Sequence, residues 1–427
     1  MDINQNLKKY DAYAVLRIKD FRLFIFARFI LTIAIQMQSI IVGWQIYDIT
    51  RDPFSLGLIG LAEALPFIVV ALFAGHVADI INRKKIILVT IIIYFFGALT
   101  LFLLSFKFNI FFAEFGCLPI YGVVFLAGIA RGFHYPAQSA FMAQLVPRKL
   151  YANSSTWNST IWHIAAISGP AIGGLIYGFF GIDTAYFIVV CLVIFSFCLF
   201  MFVKNVALPA KVKKESLIES LTSGVRFVFK NQILLGALAL DMFAVLFGGA
   251  VAILPVFARE ILELGPEGLG FLRAAPAFGA VLMSLILAHK PPLKHAGVNL
   301  LVSVSGFGMC IILFAFSTNF YLSFLLLAFS GMFDNVSVII RNTIIQLFTP
   351  DNMRGRVASV NSIFIGSSNE IGSFESGSAA KILGLVPSVV FGGGMTLMIA
   401  LSTFKFAPKL KKLNLLSYMK EKEENYL

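Results

Sequence analysis

The sequence predicts an all-α integral membrane protein with twelve transmembrane helices arranged as two pseudo-symmetric six-helix bundles. Composition is the first reason. Of 427 residues, 59% are hydrophobic and 13% charged, with mean hydropathy +0.87, whereas soluble domains run near half apolar and a quarter charged. The second is a series of apolar runs, each near the roughly 20 residues needed to cross a bilayer core. The third is an internal echo. Pro147, Asn158, Ser159, Gly169 and Gly174 recur as Pro350, Asn361, Ser362, Gly372 and Gly377, each pair 203 residues apart. A second stretch, Gly60-Leu-Ala-Glu63-Ala-Leu-Pro66, parallels Gly270-Phe-Leu-Arg273-Ala-Ala-Pro276 at an offset of 210. Two such halves with a midplane site between them are a recurrent carrier architecture.

Taken in order, residues 1–20 are polar and carry no apolar core of a cleaved signal peptide, so the first helix itself directs insertion. The N-terminal bundle (21–203) holds runs at 21–47, 54–78, 86–106, 118–145, 154–180 and 182–203. Residues 204–232 form a linker. Leu217, Leu221, Val225 and Val228 within it are spaced like one face of a helix, which predicts an amphipathic helix on the membrane surface. The C-terminal bundle (233–407) holds runs at 233–258, 267–289, 297–316, 319–347, 357–383 and 386–407, followed by a tail, 408–427. The runs are too long for barrel strands, and lipid leaves no unpaired backbone polar group solvated, so they are helices.

The net charge of +12 invites a nucleic-acid reading, but its distribution argues otherwise. With the N-terminus assigned to the cytoplasm, 26 of the 34 Lys and Arg residues fall on that side, in the two termini, the linker and the even-to-odd turns, and five at most on the other: Arg51, Lys107, Arg259, Arg273 and Lys381. That is a topology signal with both termini inside, and no nucleic-acid partner is expected. The cysteines, Cys117, Cys191, Cys198 and Cys310, form no C-x-x-C pair and read as small apolar residues. There is no P-loop, no H-E-x-x-H and no carboxylate-rich metal loop, so neither an enzyme nor a bound cofactor is expected.

Chemistry must then come from ionisable residues inside the helices, which are costly in lipid and usually face a partner or a water-filled cavity. They are Arg28, Glu63, Arg131, His134, His163, Asp241, Arg273, Asp334, Arg341, Glu370 and Glu375. The histidines read as hydrogen-bonded packing residues. The offset of 203 sets Arg131 against Asp334, opposite charges at equivalent depth, and Asp334 and Arg341 share a helix face about 10 Å apart. Each residue alone is equally a structural ion pair or part of a polar path; the set points to a path. Asp241 and Glu370 have no basic residue within a turn of sequence, and burial without a cation favours a neutral carboxyl. Either is therefore expected to carry the proton, with Asp334 pairing with Arg131 or Arg341.

Motifs in the first half bring a resemblance. Gly75-His-Val-Ala-Asp79-Ile-Ile-Asn-Arg83-Lys84-Lys85 resembles the loop between helices 2 and 3 of the major facilitator superfamily, where Asp79 and Arg83 would form a breakable latch. Ile80 and Asn82 depart from the usual basic residue and glycine, and the 8–9 turn has lost the motif. Arg131 resembles that superfamily's helix-4 arginine, implicated in proton transfer, and Gly169-Pro170-Ala-Ile-Gly173-Gly174 resembles its exporters' helix-5 motif. A close-packed kink alone also accounts for that last motif. Gly43 to Thr50, Asp241 to Val251, Gly265 to Gly270, Asp334 to Arg341 and Asn369 to Gly377 are similar to the branch containing bacterial enterobactin (siderophore) exporters.

The resemblance implies a proton-driven carrier in the bacterial inner membrane that exports an amphipathic small organic molecule, siderophore-like or drug-like. Its partners would be substrate, protons and lipid, its energy source the proton gradient, and its state a monomer. Residues expected to carry proton coupling or cavity charge are Arg131, Asp241, Asp334, Arg341, Glu370, Glu63, Arg28 and Glu375. Those expected to gate are Gly75, Asp79, Arg83, Gly169, Pro170, Gly173 and Gly174. A proton-coupled importer of the same fold, or a membrane receptor or scaffold that transports nothing, are the alternatives.

Overall fold

The computed structural model describes residues 11, 13–106, 115–206, 217–289, 292–350 and 353–418. All regular structure among them is helical. The N-terminal half comprises α1 (Lys19–Thr50), α2 (Pro53–Ile80), α3 (Arg83–Phe106), α4 (Leu118–Leu145) and α5 (Tyr151–Phe202). At 52 residues, α5 is about twice the length that crosses a bilayer core. It breaks at Gly181, whose φ of 83° turns the chain back, so its two arms are the fifth and sixth spans. The linker helix is α6 (Leu217–Lys230). The C-terminal half comprises α7 (Gln232–Gly248), continued by short turns to Ile261, then α8 (Pro266–His289), α9 (Ala296–Ala315), α10 (Phe320–Phe348), α11 (Arg354–Leu383) and α12 (Leu385–Phe406). The expected twelve spans are therefore present.

Local sequence explains the boundaries. Asp52 caps α2 by accepting from the Phe54 amide at 3.1 Å, with Pro53 in the first turn; Asn231 and Asn319 cap α7 and α10 in the same way. Gly384, between α11 and α12, has φ 90° and lies 203 residues after Gly181. The duplication thus extends to the two positive-φ glycines that reverse the chain in each half. Large apolar side chains such as Phe202, Met398 and Leu401 are exposed on the outer surface, which hydrocarbon would solvate and water would not. Among the described residues, nine helices are long and apolar enough to span a membrane by composition alone, with α5 counted once. The two spans that fall short are α4 and α11. They are also the helices carrying Arg131, Glu370 and Glu375, so their polarity reflects what they line.

The halves meet along two equivalent seams, α2 with α11 and the first arm of α5 with α8. Glycines set the distance. Gly57 lies against Gly377, whose counterpart Gly174 lies against Gly270. A Cβ on Gly57 would fall 3.3 Å from the Gly377 Cα, and one on Gly174 would fall 2.9 Å from the Gly270 Cα. These approaches lie toward the end of the bundle away from both termini, which is therefore the closed end.

The linker helix α6 departs from a simple surface helix. Val228 is fully buried with Leu238, Val357 and Val360, Arg356 donates to the Ser223 hydroxyl at 2.9 Å, and Val225 and Phe229 stay exposed. It docks on the start of α11 while keeping an apolar face outward. Residues 408–418 fold back under α9 and α10: the Leu415 amide donates to the Leu293 carbonyl at 3.0 Å, and Tyr418 stacks on Phe348.

Candidate functional site: a charge cluster between the halves

Arg131 is the hub. Its Nη1 donates to Glu63 Oε1 at 2.6 Å and to Glu370 Oε1 at 2.5 Å. Glu63 is on α2 and Glu370 on α11, so a single guanidinium nitrogen joins carboxylates from opposite halves. Small residues make the approach feasible. Gly128 on α4 faces the backbone carbonyl of Glu63, and a Cβ on Gly60 would lie 2.8 Å from the Glu370 carbonyl. Phe67 and Tyr135 place their rings 5.2 and 5.5 Å from the guanidinium, adding cation–π attraction where water is scarce. Arg131 Nε is enclosed and unpartnered among the described residues. Arg273 on α8 lies within electrostatic reach of Glu370 and Glu63, with its Nη1 bonded to the Val251 carbonyl at 2.8 Å.

A second pair lies within the C-terminal half. Asp241 on α7 and Arg341 on α10 form a buried ion pair. Asp334 is half-buried on α10 and makes no ion pair among the described residues, and the same holds for Glu375 on α11. The pairing expected from sequence is corrected here. Asp334 joins neither Arg131 nor Arg341, and Asp241 and Glu370, expected to lack a cation, each have one on another helix. Arg28 on α1 is half-buried and has no carboxylate partner among the described residues.

The expected gate residues divide. Arg83 donates to the Ala78 carbonyl at 3.0 Å and the Ala140 carbonyl at 3.2 Å, tying the end of α2 to α4. Its latch with Asp79 lies outside the described residues, which exclude that side chain. Gly75 faces open space. Gly169 packs on Gln36 and Gly173 on Met37, both on α1, while Gly174 and the Pro170 carbonyl pack across the seam on Gly270. The motif thus serves both interfaces of α5. Of the histidines, His134 bonds Thr90 at 2.7 Å as expected, whereas His163 Nδ1 is buried without a partner among the described residues.

Sequence reading missed a further set at the closed end. Asp48 on α1 pairs with Arg259, which follows α7, and with Arg51 at 3.2 Å; Glu260 accepts from Tyr47 at 3.1 Å and sits 3.8 Å from Arg51. Lys381 at the end of α11 bonds Asp52 at 2.9 Å. The Arg259 guanidinium also covers the Trp44 ring. The signal was present as Arg51, Arg259 and Lys381, three of the few cations assigned to that side, but most of their acids lie on other elements, far away in sequence.

Residues 10–424 match the family described as transmembrane secretion effectors. Enterobactin exporters from Shigella dysenteriae serotype 1 (strain Sd197) and Escherichia coli O1:K1 / APEC are each 25% identical over 338 residues, 79% of this chain and 79% of theirs. Among solved structures, a POT family transporter in complex with 5-aminolevulinic acid superposes with TM-score 0.75 at 12% identity, covering 92% of this chain and 96% of that one. A bacterial homologue of the human lysosomal transporter Spinster, inward-facing and unoccupied, gives 0.72 at 13% identity over 92% and 97%. The likeness of fold joins the duplicated halves, the seams and the family match: the chain is a multi-pass membrane transporter, not an enzyme, and belongs to the transmembrane secretion effector family of the major facilitator superfamily.

Proposed function

We propose that this protein is a proton-coupled secondary transporter of the bacterial inner membrane, with both termini cytoplasmic, that exports an amphipathic small organic molecule, siderophore-like or drug-like. The observation that carries the reading is Arg131 Nη1 shared between Glu63 of one half and Glu370 of the other. Separating the halves at the closed end must move Glu370 away from Arg131. Uptake of a proton by either carboxyl weakens its hold on the guanidinium, so protonation and separation are linked through one contact. Arg273, at the position equivalent to Glu63, is the cation near Glu370 that travels with it. Each half then keeps one carboxylate with one arginine when they part, which avoids an uncompensated charge in a low-dielectric site. Gly169, Pro170, Gly173 and Gly174 give α5 a close-packed seam on which to rock, and Arg83 with Asp79 would hold the opposite end in the alternate state. The resemblance to enterobactin exporters favours export of a siderophore-like cargo.

The test is flux in proteoliposomes holding the purified chain, with enterobactin and an amphipathic dye as cargoes and only a pH gradient imposed. Uphill movement against the direction of proton flow, abolished by a protonophore, is expected. Uphill movement along with the protons would instead establish the import alternative, and no uphill movement would refute proton coupling. Orientation is checked separately: Lys84→Cys and Lys213→Cys should be shielded from an impermeant thiol reagent in intact cells while Asn319→Cys labels.

A further inference from the structure

We propose that Arg28 receives an anionic group of the transported molecule, such as a carboxylate, sulfonate or ionised phenol, so that the cargo is an organic anion with an apolar or aromatic body. The inference rests on the reading of this chain as a carrier of small organic molecules and narrows its substrate class.

Arg28 lies nine residues into α1, roughly 14 Å along the helix from its start. It also faces the interior rather than lipid. Thr32, Gln36 and Ser39 continue its side of α1 as far as Gly43, all within about 60° of Gly43 at 100° per residue. A Cβ on Gly43 would lie 3.6 Å from Pro255 of the opposite half. Arg28 therefore belongs to a polar stripe that looks across the cleft.

Asp241 lies nine residues into α7, as Arg28 lies nine into α1, and Asp241 is neutralised by Arg341. Arg28 has no such partner among the described residues. Among the described residues, the ionisable groups within its electrostatic reach are Tyr135 and His134, neither of which is a carboxylate. Its guanidinium nitrogens are not among the fully enclosed unpartnered atoms, so the group is not sealed off. Tyr135, 45% exposed on α4, lies within electrostatic reach of Arg28 and sets its ring 5.5 Å from the Arg131 guanidinium. A half-buried cation without a counter-ion is costly, and an arriving anion offsets that cost. Guanidinium and anion would form charge-assisted hydrogen bonds, while the Tyr135 ring takes the apolar body.

The test uses wild type, Arg28→Gln and Arg28→Lys in phosphatidylcholine nanodiscs, which carry no anionic lipid. Binding of 1-naphthoate and of its uncharged counterpart 1-naphthol is measured by calorimetry at neutral pH, with empty nanodiscs subtracted. Wild type should hold 1-naphthoate at least about tenfold more tightly, the scale of one charge-assisted hydrogen bond. Arg28→Gln should lose that preference while still binding 1-naphthol, which also reports that the variant is folded. Arg28→Lys, which keeps the charge but not the planar fork, should retain part of it. A wild type without preference for the anion, or one binding neither probe, overturns the inference, as does a preference that survives Arg28→Gln. Flux under a pH gradient is a separate readout. A chain that pumps uphill yet shows no anion preference loses only this inference, and one that prefers the anion through Arg28 yet never pumps loses only the proton-coupled reading.

Discussion

Glu63 and Arg273 occupy equivalent positions in the two halves, 210 residues apart, and bring opposite charges to one cluster. Exact symmetry would have placed two like charges there, repelling across the seam. The duplication has instead diverged so that the halves attract through Arg131 and Arg273 on one side of the account and Glu63 and Glu370 on the other. A symmetric scaffold thus acquires a contact whose strength depends on ionisation.

Arg131 is the test of that cluster. Arg131→Ala leaves Glu63 and Glu370 facing each other without the shared donor. Gradient-driven export should be abolished while membrane insertion is retained. Wild-type uphill flux from this variant would leave Arg131 a packing residue only.

Glu370 probes coupling more gently. Glu370→Gln preserves shape and one hydrogen bond to Arg131 but cannot change charge. Downhill exchange of cargo should persist, and dependence on the pH gradient should vanish. Flux that still follows the gradient in both Glu370→Gln and Glu63→Gln would place the proton elsewhere.

How much of this was legible follows from which interactions are local. The twelve spans were readable because each needs only its own apolar run, and Gly181 and Gly384 fall where the runs meet. The ionisable residues were readable because charge inside an apolar run is conspicuous. Their partners were not. Asp241 has no cation nearby in sequence, yet Arg341 is 100 residues later on a helix that packs beside it. Asp334 and Arg341 share one helix, and that proximity suggested a relation the bundle does not use. At the closed end, Asp48 is in the last turn of α1, Asp52 in the turn that follows and Glu260 in the short turns after α7, where charge is ordinary, so nothing local marked them as bridging the halves.

Those turns lead to a prediction about the closed end. Asp48–Arg259 and Asp52–Lys381 both cross between halves and are partly exposed. Exposed pairs contribute about 0–1 kcal/mol each and weaken with salt. Arg259→Gln should therefore raise the population separated at this end by a factor of about five at most, given that 1.4 kcal/mol is tenfold. Spin labels at the end of α1 and the start of α8, read by pulsed electron resonance, would report it. Raising salt should mimic the variant in wild type and do less in the variant itself. A salt-independent distance distribution in wild type would show that apolar packing alone holds this end shut.

The seam glycines should behave differently, because their effect is steric. A Cβ on Gly174 would fall within van der Waals distance of both the Gly270 Cα and its amide. Gly174→Leu should prevent closure and so block turnover, while cargo still binds from the open side. Normal turnover in this variant would mean that the seam can spread without consequence.

The pair Asp241–Arg341 separates stability from transport. Both side chains are buried, at 7% and 3% exposure, so neither charge can be rescued by water. Removing one partner of a buried pair typically costs about 3–5 kcal/mol, because the other is left uncompensated, whereas replacing both with apolar groups of similar size is often neutral. Asp241→Asn should therefore lower the thermal midpoint of the detergent-purified protein, and Asp241→Leu with Arg341→Met should restore it. Transport discriminates the roles. If the pair only stabilises the C-terminal half, the double variant pumps as well as wild type. If Asp241 also exchanges protons, the double variant is stable and uncoupled, moving cargo downhill under any pH gradient. The structure favours the first outcome, since Asp241 has its own dedicated cation within one half and the contact that must change between states is the one at Glu370. A stable double variant that has lost gradient dependence would shift the coupling site from the seam to the interior of the C-terminal bundle.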